Sequence, residues 1–248
     1  MPETPLYVYG IVRSDATLPG GAPRGVAGGS VRLLEDGSLA AVVTDLPSSS
    51  YEAGRGDLLA HSEVLQHAFA SADVLPMAFG TAFVSQGELA ETFLRPNHDA
   101  LVAMLDSVGG MAEVQVRADY EQDAIARDIA ESDRSVRKLQ ARARERGDVE
   151  TKIELGRRFA ATLENKRYAD ARALVDALSK AARDVSLGEA PGEFGLLRAS
   201  FLVPRDGLDR FDSAADTALA SLGGRATLRC VGPLPPYSFV DASALVVA

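Results

Sequence analysis

The sequence predicts an α+β protein of two domains, each a ferredoxin-like variant with helices on one face of an antiparallel sheet. Three observations carry this. Short runs rich in β-branched and aromatic residues alternate with amphipathic helical stretches along the whole chain. Gly109-Gly110 reads as a hinge, and Glu113 to Arg117 behind it alternates as a half-buried strand does. From Tyr120 to Val185 proline is absent and Ala, Arg, Glu, Leu and Asp dominate, which marks a long helical insertion. The expected domains are therefore 1–108 and 109–248, the second with helical segment 120–185 and tail 232–248.

Leu6 to Val12 is the first strand. Residues 14–29 form a loop with seven Gly and Pro positions: Pro19, Gly20, Gly21, Pro23, Gly25, Gly28 and Gly29. Its spacing fits neither a dinucleotide fingerprint nor a lysine-containing phosphate loop. Asp36-Gly37 between Val31–Leu34 and Leu39–Thr44 signals a hairpin, because glycine accepts positive φ. Asp57 is a candidate cap for a helix carrying Leu58, His61, Leu65, Ala68 and Phe69. Two short extended pieces follow, with a bend at Pro76, and then a helix interrupted at Arg95-Pro96-Asn97.

The helical segment breaks best at Gly147-Asp148, where Asp148 can cap the next helix. Its many charges read as a solvated face. Residues 188–195 read as a loop, Leu196 to Val203 as a strand, and Leu208 to Leu222 as an amphipathic helix. Thr227 to Val231 is the last strand, stopped by Gly232-Pro233.

Net charge is −9 over 248 residues, against general binding to a phosphate backbone. No stretch approaches the roughly 18 to 20 apolar residues of a membrane span. The amino terminus lacks a secretory pattern, and the single Cys230 excludes an internal disulfide, so a reducing cytoplasm is the expected setting. His61 and His67 lie about 240° apart on a helix, and no convergent ligand set accompanies them or His98. Surface or locally bonded histidines are expected. Cys230 reads as a small buried hydrophobe, and no serine or carboxylate sits in a catalytic pattern. Neither an enzyme nor a cofactor has positive support.

The most distinctive stretch is Gly232-Pro233-Leu234-Pro235-Pro236-Tyr237-Ser238-Phe239-Val240. Its prolines favour an extended path that sets Tyr237 and Phe239 on one side, either as a strap over the protein's own core or as an anchor for a partner. This stretch resembles the signature that ends the folded part of the GvpF/GvpL family of gas vesicle proteins. Leu6 to Val12, His61-Ser62-Glu63-Val64-Leu65 and Val74 to Thr81 resemble three further family motifs in the same order. Ala78 departs from the family pattern, which leads one to expect a basic residue there.

The resemblance implies a two-domain α+β fold and a noncatalytic, cytoplasmic, vesicle-associated accessory or minor structural protein. Such a protein would bind the hydrophobic shell protein GvpA and other Gvp proteins during assembly. The interface residues then expected are Pro76, Met77 and Phe79, with Pro235, Pro236, Tyr237 and Phe239. The competing expectation for both stretches is packing, with Phe79 buried and, if the two stretches meet, a lock between the domains rather than a site. The alternative function is a small-ligand-binding or regulatory module, which rests on fold analogy alone.

Overall fold

The computed structural model describes residues 4–245. The chain divides into two units, residues 1–113 with 233–248, and residues 114–232. The carboxyl-terminal tail thus belongs with the first unit, not with the second, where the sequence pattern places it.

In the first unit β1 (Leu6–Arg13) is the central strand. β2 (Val31–Asp36) and β3 (Leu39–Asp45) form the expected hairpin, with Gly37 in its turn at φ +66°. β3 pairs antiparallel with one edge of β1. β4 (Leu75–Pro76) and β5 (Ala82–Phe83) pair antiparallel along the other edge. α1 (Arg55–Phe69) joins β3 to β4. After β5, α2 (Gln86–Glu88) runs into a π-helical turn, Leu89–Leu94. The chain restarts past Pro96 as α3 (His98–Val108).

This sheet departs from the expected single covered face. Every residue from Leu6 to Val12 is buried, so both faces of β1 are covered. Leu6, Val8 and Ile11 pack with Phe93, Leu101 and Leu105 of the π-turn and α3. The opposite face carries Tyr7 and Tyr9 and meets α1 through His61. Gly10 marks the closest approach: a Cβ there would lie 2.7 Å from Val74 Cγ2 and 2.8 Å from the Leu75 carbonyl oxygen.

The Gly/Pro-rich loop takes the place of a first crossover helix. Tyr9 Oη accepts from Val26 N at 2.7 Å, His67 Nε2 donates to the Pro19 carbonyl at 2.9 Å, and Ser71 Oγ donates to the Thr17 carbonyl at 2.8 Å. Asp57 is not the cap of α1; Gly54 holds that position, and Asp57 sits three residues on. Its carboxylate accepts from Gly54 N, Ala27 N and Tyr51 Oη, and the two backbone donors hold it below the usual carboxylate range. One side chain therefore helps cap the start of α1 and fastens the loop.

The second unit is a ferredoxin-like β-α-β-β-α-β unit. β6 (Met111–Tyr120) leads into three helices, α4 (Gln122–Ser132), α5 (Arg134–Arg146) and α6 (Val149–Leu178). β7 (Asp184–Gly188), β8 (Gly195–Pro204), α7 (Leu208–Ser221) and β9 (Ala226–Leu234) complete it. The sheet order is β7-β8-β6-β9. Val114, Val116 and Ala118 pack with Phe201, Phe211, Ile125 and Leu174, while Gln115 and Arg117 face solvent, so this sheet has the expected open face.

Gly147 adopts φ +67° and ends α5, and Asp148 accepts from Thr151 N at 2.7 Å to start α6, as the sequence predicts. Asp133 supplies a second break the sequence reading missed. It accepts from Ser135 N, Thr162 Oγ1 and the Arg158 guanidinium, and these donors, Thr162 foremost, hold its carboxyl down at about 2.

Three other expectations fail. Asp184–Gly188 is an edge strand, not helix end and loop. β9 runs through Gly232-Pro233 to Leu234, because an edge strand tolerates a residue that cannot donate. For the same reason Cys230, expected inside, is exposed.

Candidate functional site

Two of the distinctive stretches meet in the first unit. Pro76, Met77 and Ala78 form one side of a cleft of about 600 Å³, and Tyr237 to Asp241 form the other. The sheet and α1 position the first side. His61 in α1 is 4% exposed, and its Nδ1 lies 2.9 Å from Tyr7 Oη. Tyr7 Oη also accepts from Gly80 N at 3.0 Å. The Met77 backbone lies near enough to the imidazole to favour its protonated form. Tyr7 Oη and His61 Nδ1 share one hydrogen bond, whose donor is set by the imidazole tautomer.

Burial pushes the His61 pKa down to about 4, and the Met77 backbone only partly opposes this. The Tyr7 phenol is pushed up to about 12 by burial. Both groups are therefore neutral near pH 7. They act as a clamp on the 76–80 turn, where Gly80 at φ +94° reverses the chain.

The tail is seated by a different buried group. Glu113 is 0% exposed, and its two carboxylate oxygens accept from Ser238 N at 2.7 Å and Ser238 Oγ at 2.8 Å. Gln66 Nε2 of α1 donates to the Pro233 carbonyl at 3.1 Å. Tyr237 N donates to the Pro235 carbonyl at 2.8 Å, and Phe239 N to that of Pro236 at 3.2 Å. The segment after the prolines is therefore a tight turn, and the expected extended path with alternating rings does not occur. Partial burial, with the Glu113 charge, pushes the Tyr237 phenol up to about 12.

Of the seven residues singled out from sequence, Pro76, Met77, Tyr237 and Phe239 line the cleft. Pro235 and Pro236 are buried behind it and shape the turn. Phe79 lies beside it and is 39% exposed, contrary to the expectation of burial. The Gly80 reversal turns its ring outward, against the edge of His61 at 5.7 Å and beside Tyr7 at 6.3 Å. Tyr237 is 40% exposed. Glu113 and Ser238 were not found from sequence, because Glu113 shares the phase of solvent-facing Gln115 and Arg117. Among the described residues no cluster of three or more His, Cys, Asp or Glu could hold a metal ion. The cleft's lining holds one carboxylate, Asp241.

Comparison with known proteins identifies the family and matches the fold. The family model described as "Gas vesicle synthesis protein GvpL/GvpF" matches residues 5–241. Gas vesicle protein F of Streptomyces sp. (strain CB03234) is 36% identical, over 95% of this chain and 99% of that protein. Gas vesicle protein F of Haloferax mediterranei is 29% identical, over 95% and 93%. The crystal structure of GvpF from Anabaena sp. PCC7120 superposes with a TM-score of 0.82 at 21% identity, covering 96% of this chain and 98% of that one. That of GvpF from Microcystis aeruginosa gives 0.74 at 20% identity, covering 95% and 98%. No helix among the described residues is long and apolar enough to cross a membrane. The chain belongs to the GvpL/GvpF family of gas vesicle synthesis proteins.

Proposed function

We propose that this protein is a noncatalytic adaptor of gas vesicle assembly, which receives an apolar segment of the shell protein GvpA in the cleft between Pro76–Ala78 and Tyr237–Asp241. The observation that carries the reading is the cleft itself, about 600 Å³, with Pro76, Met77 and Phe239 in its lining. Tyr237 and Phe79 present aromatic area at its rim, 40% and 39% exposed. Aromatic side chains in such settings supply much of the affinity of a protein interface. Leu58 and Leu59 at the start of α1 add further exposed apolar surface to the same unit.

The physical task fits. A shell subunit with an apolar face aggregates unless that face is covered until it is incorporated. A preformed cleft clamped by His61 and Glu113 offers cover without the ordering cost of a flexible receptor. Other Gvp proteins are further partners in this reading, and a cytoplasmic or vesicle-bound location follows from it.

The test is co-purification with the host's GvpA. Phe79→Ala and Tyr237→Ala remove exposed rings, so both variants should keep wild-type circular dichroism while retaining less than about a tenth of the GvpA. Undiminished retention by both variants would remove the cleft from the interface.

A further inference from the structure

The sheet of the second unit has two edges, and they are finished differently. β9 carries Arg229 and Pro233, and a charged side chain and a proline both discourage a further strand. β7, at the other end of the order β7-β8-β6-β9, holds no Pro, Lys or Arg between Asp184 and Gly188. Among the described residues it pairs with β8 alone, in unbroken antiparallel register from Asp184 opposite Leu202 to Gly188 opposite Arg198. Its outer side therefore presents a row of backbone donors and acceptors, which another extended chain complements. Val185 N donates to the carboxylate of its own neighbour, Asp184 Oδ1, at 2.8 Å, as a strand donor does where no strand faces it.

The side chains along this edge are unfinished as well. Val185 and Leu187 stand opposite Phe201 and Ala199, on the face turned to the core. Yet Leu187 is 65% exposed. Beside it, Tyr168, Ala171 and Val175 of α6 line a groove of about 350 Å³, and Tyr168 is exposed. On the other face Asp184, Ser186 and Gly188 alternate. Arg198 lies across Gly188: a Cβ there would stand 3.4 Å from Arg198 Cγ and 3.5 Å from its Cδ. The arginine thus leans over a residue with no side chain, toward the free edge. It is exposed, and none of the ion pairs among the described residues of this unit involves it.

We propose that β7 pairs antiparallel with β7 of a second copy of this chain, about a twofold axis at Ser186, joining two four-stranded sheets into one of eight strands. Self-complementarity selects this occupant. In this register Ser186 meets its own copy, Val185 faces the partner's Leu187, and Asp184 faces the partner's Gly188. The apolar side chains share one face and gain neighbours across the axis. On the other face each Arg198 points over Gly188 at the partner's Asp184, two strand spacings or about 10 Å away between backbones. An arginine and an aspartate side chain together span that distance. Two such ion pairs form, related by the axis. A shift of one residue would set Leu187 opposite the partner's Asp184 and lose both the apolar and the charged match. A strand of another protein has no reason to place an acid opposite Gly188, and this chain's own β7 does. The closed twofold also leaves no β7 edge free.

The experiment uses the full chain. Sedimentation velocity from about 1 to about 100 μM should show a monomer–dimer equilibrium. Asp184→Arg and Arg198→Asp each oppose like charges across the axis and should weaken the dimer about tenfold or more. The double variant, which exchanges the two charges, should return to within about threefold of wild type, and circular dichroism should be unchanged throughout. Ser186→Cys in a Cys230→Ser background should form a disulfide between copies under mild oxidation, because directly opposed residues lie about 5 Å apart at Cα. Leu187→Cys, diagonal to its own copy at about 8 Å, should react about tenfold more slowly. A monomer at every concentration, an exchange variant no better than either single variant, or faster disulfide formation from position 187 than from 186 would each overturn the proposal.

Discussion

The two units hold their sheets in different ways. The first buries both faces of β1 and fixes its turns with a buried polar network, Gly80–Tyr7–His61–Met77 on one side and Glu113–Ser238 on the other. The second buries one face under amphipathic helices and leaves the other to water. Its main polar lock is Asp170, which takes Arg225 at 2.8 and 3.1 Å and the Tyr120 hydroxyl at 2.7 Å. Burial first, and Asp170 second, raises the Tyr120 phenol well above its usual value. The contrast teaches where specificity is stored. A one-faced sheet tolerates any apolar residue of the right phase and size. A two-faced sheet with clamped turns requires particular residues, and the family-like motifs, apart from Gly232, fall in the first unit.

The sharpest way to break this comparison is at Gly10. A methyl group there meets a side chain at 2.7 Å and a carbonyl at 2.8 Å, so Gly10→Ala should cost about 3 kcal/mol or prevent folding. Gly20, with nothing within 4 Å of the same methyl, should accept alanine within about 0.5 kcal/mol. Urea unfolding of the two variants checks both. If they behave alike, the close approach of Val74 and Leu75 to β1 is not what constrains the strand.

Acid separates the units next. His61 has an ordinary value of 6.5 and a folded value of about 4, so folding favours its neutral form. Its contribution is complete above pH 6.5 and is lost as pH falls, because the unfolded chain takes up the proton first. By pH 4 the loss reaches about 3 kcal/mol. Unfolding followed between pH 7 and pH 4 should show this slope in wild type and a flatter one in His61→Gln. A slope unchanged by the substitution would contradict the buried neutral imidazole.

In the second unit, Asp170→Ala strands Arg225 and Tyr120 together and should cost about 2 kcal/mol. Thermal unfolding measures it. A much smaller loss would make this unit purely a matter of apolar pattern, which would sharpen the contrast with the first.

Much of the fold was legible because its causes are local. The Asp36-Gly37 hairpin, the alternating strand after Gly110 and the Gly147-Asp148 helix break each depend on two to five neighbouring residues. What escaped depends on distant ones. Asp133 caps α5 through Ser135 N and Val136 N, and Thr162 and Arg158 from another helix fix it further. β7 is a strand only because β8 pairs with it. The exposure of Phe79 follows from the reversal at Gly80, and the burial of Glu113 from a tail more than 100 residues on. The cleft was half legible: Pro76, Met77, Tyr237 and Phe239 stood out in two family-like stretches, but whether the stretches meet was left open.

The central claim is that the cleft of the first unit receives GvpA. It is tested most directly by placing a photo-crosslinking amino acid at one exposed position at a time, Phe79, Tyr237, or Leu187 on β7 of the second unit. Irradiation in the presence of the host's GvpA should join the two proteins from positions 79 and 237 and leave 187 uncoupled. Coupling from 187 with none from 79 or 237 would contradict the account and move the GvpA site to the second unit.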